Sequence, residues 1–183
     1  MSETTWQLGA TDGSVTVYTD VTGPAARTGH RLTIEMTQWS AQVTWAGEEP
    51  ATVSASIAVD SLQVRAGAGG VTPMSGPERS VARANALKSL KADKFREITY
   101  ESGSITRSDG GYRVDGTVTI HGRRRECALD LAVDGSPGRW RICTETTLSQ
   151  SDFGIKPYSL MMGALKVADE VRLGIEISPT RDG

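Results

Sequence analysis

The side chains able to do chemistry are few in this sequence, and their spacing limits what they can do. There are two histidines and two cysteines in 183 residues. His121 stands in Thr117-Val-Thr-Ile-His-Gly-Arg-Arg-Arg-Glu-Cys-Ala-Leu-Asp-Leu131, between two alternating apolar runs and ahead of three arginines. Four roles suit it: a general base, a metal ligand, part of an anion-binding tip, or a turn residue. Glycine at position 122 supports a hairpin reversal, which favours the turn. Metal binding needs several converging ligands, and two histidines with two diverging cysteines do not supply them. Arg123, Arg124 and Arg125 suit a phosphate or an anionic head group. On a tip, in a chain of net charge −2, a solvated role is the expectation.

His30, in Gly29-His-Arg-Leu32, enters a strand after the loop over residues 22–28. A general base there needs a nucleophile and a pocket, and no Gly-x-Ser-x-Gly or similar pattern is present. Capping or packing of a strand end is the expected role. Asp60, Glu101, Asp115 and Asp130 are spread over several expected strands and form no pair that spacing justifies. No phosphate-cradling loop or dinucleotide fingerprint is found. A small enzyme using His30 or His121 with a pocket carboxylate remains the weaker alternative, and no catalytic residue or metal ligand is assigned.

The elements that must position these residues follow a period of two. Val15 and Val17 alternate with Thr16. Leu32, Ile34 and Met36 alternate with Thr33, Glu35 and Thr37. Val53, Ala55, Ile57 and Val59 form one set, Tyr112, Val114, Val118 and Ile120 another, and Val171, Leu173, Ile175 and Ile177 a third. Strands around 39–45, 97–105, 126–133 and 139–148 bring the number to about eight. Glycine-bearing turns at 45–50, 108–111 and 134–138 are short, so sequential neighbours pair antiparallel in a meander. Residues 75–90 differ. Proline and glutamate in the first turn and lysines at the end predict a helix, with a weak stripe of Val81, Ala84, Leu87 and Leu90. Ala66-Gly-Ala-Gly-Gly70 before it reads as a flexible link. A twisted meander of this size tends to close, which removes its edges. The expected fold is therefore all-β, one antiparallel barrel domain over 1–183 with a short helix covering an end.

Composition bounds the rest. Apolar residues at 38% and charged residues at 23% describe a folded chain with a core. With pI near 5.7 there is no basic field for nucleic acid. The acidic start lacks an apolar signal region, and no run spans a bilayer, so the expectations are a cytoplasmic location and no stable membrane insertion. Cys127 shares its face with Leu129, Leu131 and Val133, whereas Cys143 alternates with Trp140, Ile142 and Leu148. Opposite faces cannot be bridged, which predicts two reduced thiols.

Gly116-Thr-Val-Thr-Ile-His-Gly122 and Ser151-Asp-Phe-Gly-Ile155 resemble segments of the YceI-like family, lipocalin-like barrels associated with polyisoprenoid binding. The order of helix, Ala92-Asp-Lys-Phe-Arg-Glu-Ile-Thr-Tyr-Glu-Ser102 and His-Gly hairpin is similar too, so the likeness spans nearly the whole sequence. It implies a barrel whose interior takes an isoprenoid chain, such as a quinone or polyprenyl tail. It also implies no catalytic residues and a turn role for His121. The family's early strand, usually ending in a histidine and glycine-phenylalanine pattern, is replaced here by Gly23-Pro-Ala-Ala-Arg-Thr-Gly-His30.

In a closed barrel the apolar face points inward. The expected ligand-binding residues are Val17, Leu32, Ile34, Met36, Ile57, Val118, Leu129, Ile142 and Leu173, with Met161 and Met162 at a mouth. The expected partner is an apolar small molecule or lipid, with a homodimer left open. No cofactor is expected beyond a bound isoprenoid. An aliphatic lining also packs a narrow barrel well, so a filled barrel acting as an interaction module stays open as a further alternative.

Overall fold

The computed structural model describes residues 4–136 and 138–179. In chain order these form β1 (Thr4–Gly9), β2 (Gly13–Tyr18), β3 (Val21–Thr22), β4 (His30–Met36), β5 (Trp39–Ala46), β6 (Glu49–Ala58) and β7 (Leu62–Gly69). The helix α1 (Gly76–Ser89) follows, then β8 (Glu97–Ser108), β9 (Gly111–Ile120), β10 (Arg123–Ser136) and β11 (Arg139–Ser149). Last come β12 (Ser159–Leu160), β13 (Leu165–Val167) and β14 (Glu170–Ile177). Eleven strands make one sheet in the order β1-β5-β6-β8-β9-β10-β11-β14-β2-β4-β7, and β12, β13 and β3 make a small second one.

The number of segments exceeds the expected eight because three long strands are broken at corners and three short ones, β3, β12 and β13, form the second sheet. Thr37 and Gln38 join β4 to β5, a 3-10 turn at Val59–Ser61 joins β6 to β7, and a short turn joins β1 to β2. Each such pair behaves as one bent strand, paired on both sides of its bend. β1 pairs β5 while β2 pairs β4, and β5 pairs β6 while β4 pairs β7. Read this way, eight long strands follow one another in chain order, and β14 pairs back onto β2. The meander therefore closes into a barrel. Two corners are tied together: Thr37 Oγ1 donates to the Ser61 carbonyl at 2.8 Å, and Ser61 Oγ to the Ala58 carbonyl at 2.7 Å. Those bonds satisfy a serine only 6% exposed, which burial otherwise penalises.

Three local expectations are corrected. The turn between β9 and β10 is only His121 and Gly122, at φ 55° and 71°, the positive pair a two-residue hairpin demands. Arg123, Arg124 and Arg125 thus belong to β10, opposite Ile120, Thr119 and Val118, and form no tip. Residues 66–69 are not a flexible link but the end of β7, paired with β4 through Thr33↔Ala66 and His30↔Gly69. A Cβ on Gly67 would collide with the Met74 sulfur, and one on Gly70 with the His30 ring, so small residues make room for those side chains. In α1, Leu87 and Leu90 pack on the core together with Ala82 and Ala86. Val81 is 60% exposed and Ala84 is exposed, so the packed face is rotated from the expected stripe.

Candidate functional site

The inward faces of the barrel enclose a cavity of ≈740 Å³. Alternation within each strand delivers one side chain in two to it. Val17 comes from β2, Leu32, Ile34 and Met36 from β4, Ile57 from β6 and Val118 from β9. Leu129, Ile142 and Leu173 add β10, β11 and β14. All nine strand residues chosen by alternation line this one space. Met161 and Met162 do not. They sit in left-handed backbone at φ 53° and 55°, which turns both side chains outward, 63% and 107% exposed. Leu160 and Leu165, on either side of them, face the cavity instead.

Its walls include residues that alternation did not select. Met74, Ala82, Ala86 and Leu90 close one side from α1 and the segment before it. Phe153 and Ile155, 3% and 5% exposed, pack with Val118 and Ile120. These come from a 3-10 turn whose chain reverses at Gly154, φ 68°, so no strand period could reveal them. Cys127 lines the cavity while Cys143 does not, and both thiols are free.

Polar groups in this lining are few. Tyr100 donates its hydroxyl to the Cys127 carbonyl at 3.0 Å, and burial pushes its phenol up to about 12. Burial also raises the Cys127 thiol. The Thr144 hydroxyl has no hydrogen-bond partner among the described residues. Thr28, Pro77, Glu78, Val81, Leu160 and Lys166 both line the cavity and are exposed. They mark its mouth, between α1, the start of β4 and the small sheet.

The two histidines are apart in role. His30 lies beside the mouth, and its Nε2 meets the Thr72 carbonyl at 2.8 Å. A carbonyl only accepts, so Nε2 carries the proton. His121 does not line the cavity; its Nδ1 donates to the Phe153 carbonyl at 3.0 Å. None of Asp60, Glu101, Asp115 and Asp130 lines it either. Asp115 and Asp130 share Arg113 on the exposed face, at 3.3 and 3.4 Å. Glu78 is a carboxylate at the mouth, but it accepts the Ser75 N–H at 2.6 Å in a capping box, a bond that lowers its pKa. No group of three metal-ligating side chains occurs among the described residues.

The arrangement is a largely apolar cavity with its exposed walls at one end, where His30 and Glu78 are each held by backbone hydrogen bonds. It can hold an apolar chain.

A family model described as a YceI-like domain matches residues 6–178. Among curated proteins, none matches the sequence. Among solved structures, BcnA of Burkholderia cenocepacia is similar at TM-score 0.66 and 17% identity, covering 91% of this chain and 96% of that one. The YCEI protein of Campylobacter jejuni is similar at TM-score 0.63 and 16% identity, covering 82% and 85%.

Proposed function

The chain belongs to the YceI-like family, and on that premise we propose that it binds a long apolar molecule inside the barrel and carries or sequesters it. An isoprenoid chain of the quinone or polyprenyl type is the class we infer. The observation that carries this reading is the open cavity of ≈740 Å³ with its aliphatic wall. It falls within the range of about 300–1,000 Å³ usual for small-molecule sites. The barrel's own side chains leave that space unfilled, which speaks against a filled barrel. An apolar guest gains about 0.8 kcal/mol per buried methylene, so roughly ten offset the cost of association. Selection would rest on length and width rather than on chemistry.

Binding without catalysis is part of the same reading. It is supported by the separation of the histidines and by the four carboxylates that stay outside the cavity. Organic extraction of the purified protein followed by mass spectrometry should yield a prenyl-chain lipid in near-stoichiometric amount. Leu173→Trp should lower that yield at least fivefold, because the residue is half-buried and faces the tube. Its melting temperature should move by only a few degrees. Full retention in a stably folded Leu173→Trp protein would sink the carrier reading. Replacing both histidines should leave retention unchanged.

A further inference from the structure

The large hydrophobic side chains that protrude into solvent are gathered at one end of the molecule. Among the described residues they are Val71, Val81, Leu160, Met161 and Met162. Val81 and Leu160 are walls of the cavity mouth. Met161 and Met162 directly follow Leu160, and Val71 lies between Gly70 and Thr72, whose carbonyl meets His30 at the mouth. Exposed apolar side chains thus stand at the mouth and on the segments next to it. A scattered exposed leucine needs no explanation, but several exposed apolar side chains gathered beside an apolar opening do.

The tip is built rather than loose. Ala25 N–H donates to the Ala164 carbonyl at 2.9 Å, and Ala164 N–H to the Met161 carbonyl at 3.1 Å. The β13 strand pairs with β3, which anchors the tip to the chain before β4. Two successive non-glycine residues at positive φ store strain of the order of 1 kcal/mol or more each. That strain is spent on holding two methionines in water, where packing returns nothing.

Charge at this end has one sign left over. Arg27, Arg31 and Lys166 are exposed and make no ion pair among the described residues. The two acids named beside them, Glu78 and Asp20, each accept a backbone N–H and keep their charge, so the three cations outnumber these two by one. A chain of net charge −2 thus presents cations where its apolar tip protrudes.

We propose that this end docks reversibly on an anionic lipid bilayer, with Met161 and Met162 entering the acyl boundary and the cavity mouth facing the membrane. Single protruding apolar side chains with flanking cations suit an interface of lipid head groups. A protein partner would need a flat patch of complementary shape instead. Docking this way gives an apolar guest a path between bilayer and barrel that never crosses water. The inference extends beyond binding and does not need the ligand to be known.

Flotation of the full chain with phosphatidylcholine vesicles, with and without phosphatidylglycerol, tests it. The protein should float with the anionic vesicles, less with the neutral ones, and less at high salt. The double variant Met161→Asn, Met162→Asn should bind at least about tenfold more weakly, because two apolar anchors are gone. Asparagine tolerates left-handed backbone, so the melting temperature should stay or rise. Equal flotation of variant and wild type would overturn docking, and so would flotation of neither. A fall in melting temperature would show that the methionines pack internally, and a shift from dimer to monomer without vesicle binding would show that they touch a second copy; either outcome ends the proposal. Extraction and mass spectrometry on the same preparations separate the two readings. Retained isoprenoid without vesicle binding leaves carriage standing, and vesicle binding without isoprenoid leaves docking standing.

Discussion

Thr144 is 7% exposed, and its hydroxyl has no partner among the described residues. An unpaired buried hydroxyl costs roughly 1–3 kcal/mol of desolvation. Thr144→Val keeps the shape and removes that cost, so it should raise stability by about 1 kcal/mol; a lower denaturation midpoint would show that the hydroxyl is satisfied. The His-Gly turn sets a second test. His121→Ala removes the bond to the Phe153 carbonyl and should cost about 1–2 kcal/mol, with ligand retention unchanged because the ring lies outside the cavity. Gly122→Val should cost more. Its Cβ would sit 2.6 Å from the Phe95 ring at φ 71°, combining overlap with a backbone that β-branched residues avoid. A Gly122→Val protein as stable as His121→Ala contradicts that geometry.

At the level of elements, α1 is held by a capped start, by Arg83 at its middle and by a half-buried apolar face. Its start is a full capping box: Ser75 Oγ accepts Glu78 N–H at 3.3 Å, and the Glu78 carboxylate accepts Ser75 N–H at 2.6 Å. Arg83 then ties the helix middle to the barrel, donating to the Leu62 and Asp60 carbonyls at 2.7 Å each. No residue of α1 is fully buried, so the cap carries weight that packing does not. Ser75→Ala should cost about 1 kcal/mol. Because the first turn also supplies the mouth through Pro77, Glu78 and Val81, the same variant should release a bound prenyl lipid faster. Hydrogen exchange across 76–90 and a dissociation time course would check the two effects together. An unchanged off-rate with a frayed helix would mean that the helix does not gate the opening.

For the whole molecule the barrel's response to base is informative. Burial raises the Tyr100 phenol from 10 to about 12, so the folded state resists ionising it. A raised folded-state value means that this contribution is intact below pH 10 and is lost as pH rises through about 12. The protein should begin to weaken above about pH 9, where the raised Cys127 thiol contributes, and weaken further beyond pH 10 as Tyr100 adds its share. Tyr100→Phe, lacking the ionisable group and the bond to Cys127, should be less stable near neutrality but lose less between pH 10 and 12. Parallel loss in both proteins would assign alkaline unfolding to other groups.

The sequence by itself determined which side of each strand is apolar. Period-two alternation is a local property, so nine lining residues on seven strands could be named from Val17 to Leu173. It also determined the helix limits near 75–90, through proline and glutamate in the first turn and lysines at the end, and the turn role of His121 beside Gly122. The tertiary structure decided what lies between local signals. The corners at 37–38 and 59–61 are set by closure of the sheet, so three strands that read as single runs or as neighbours became pairs of segments. Residues 66–69 read as a link because glycine signals freedom locally, yet the strand beside them and the His30 and Met74 side chains consume that freedom. Met161 and Met162 read as lining because they are apolar, but left-handed backbone, fixed by β13 and β3, turned them to solvent. Hydrophobicity chooses a face only where the backbone is regular. Where the chain reverses, as at Gly154 and Met162, only the packed molecule fixes which way a side chain points.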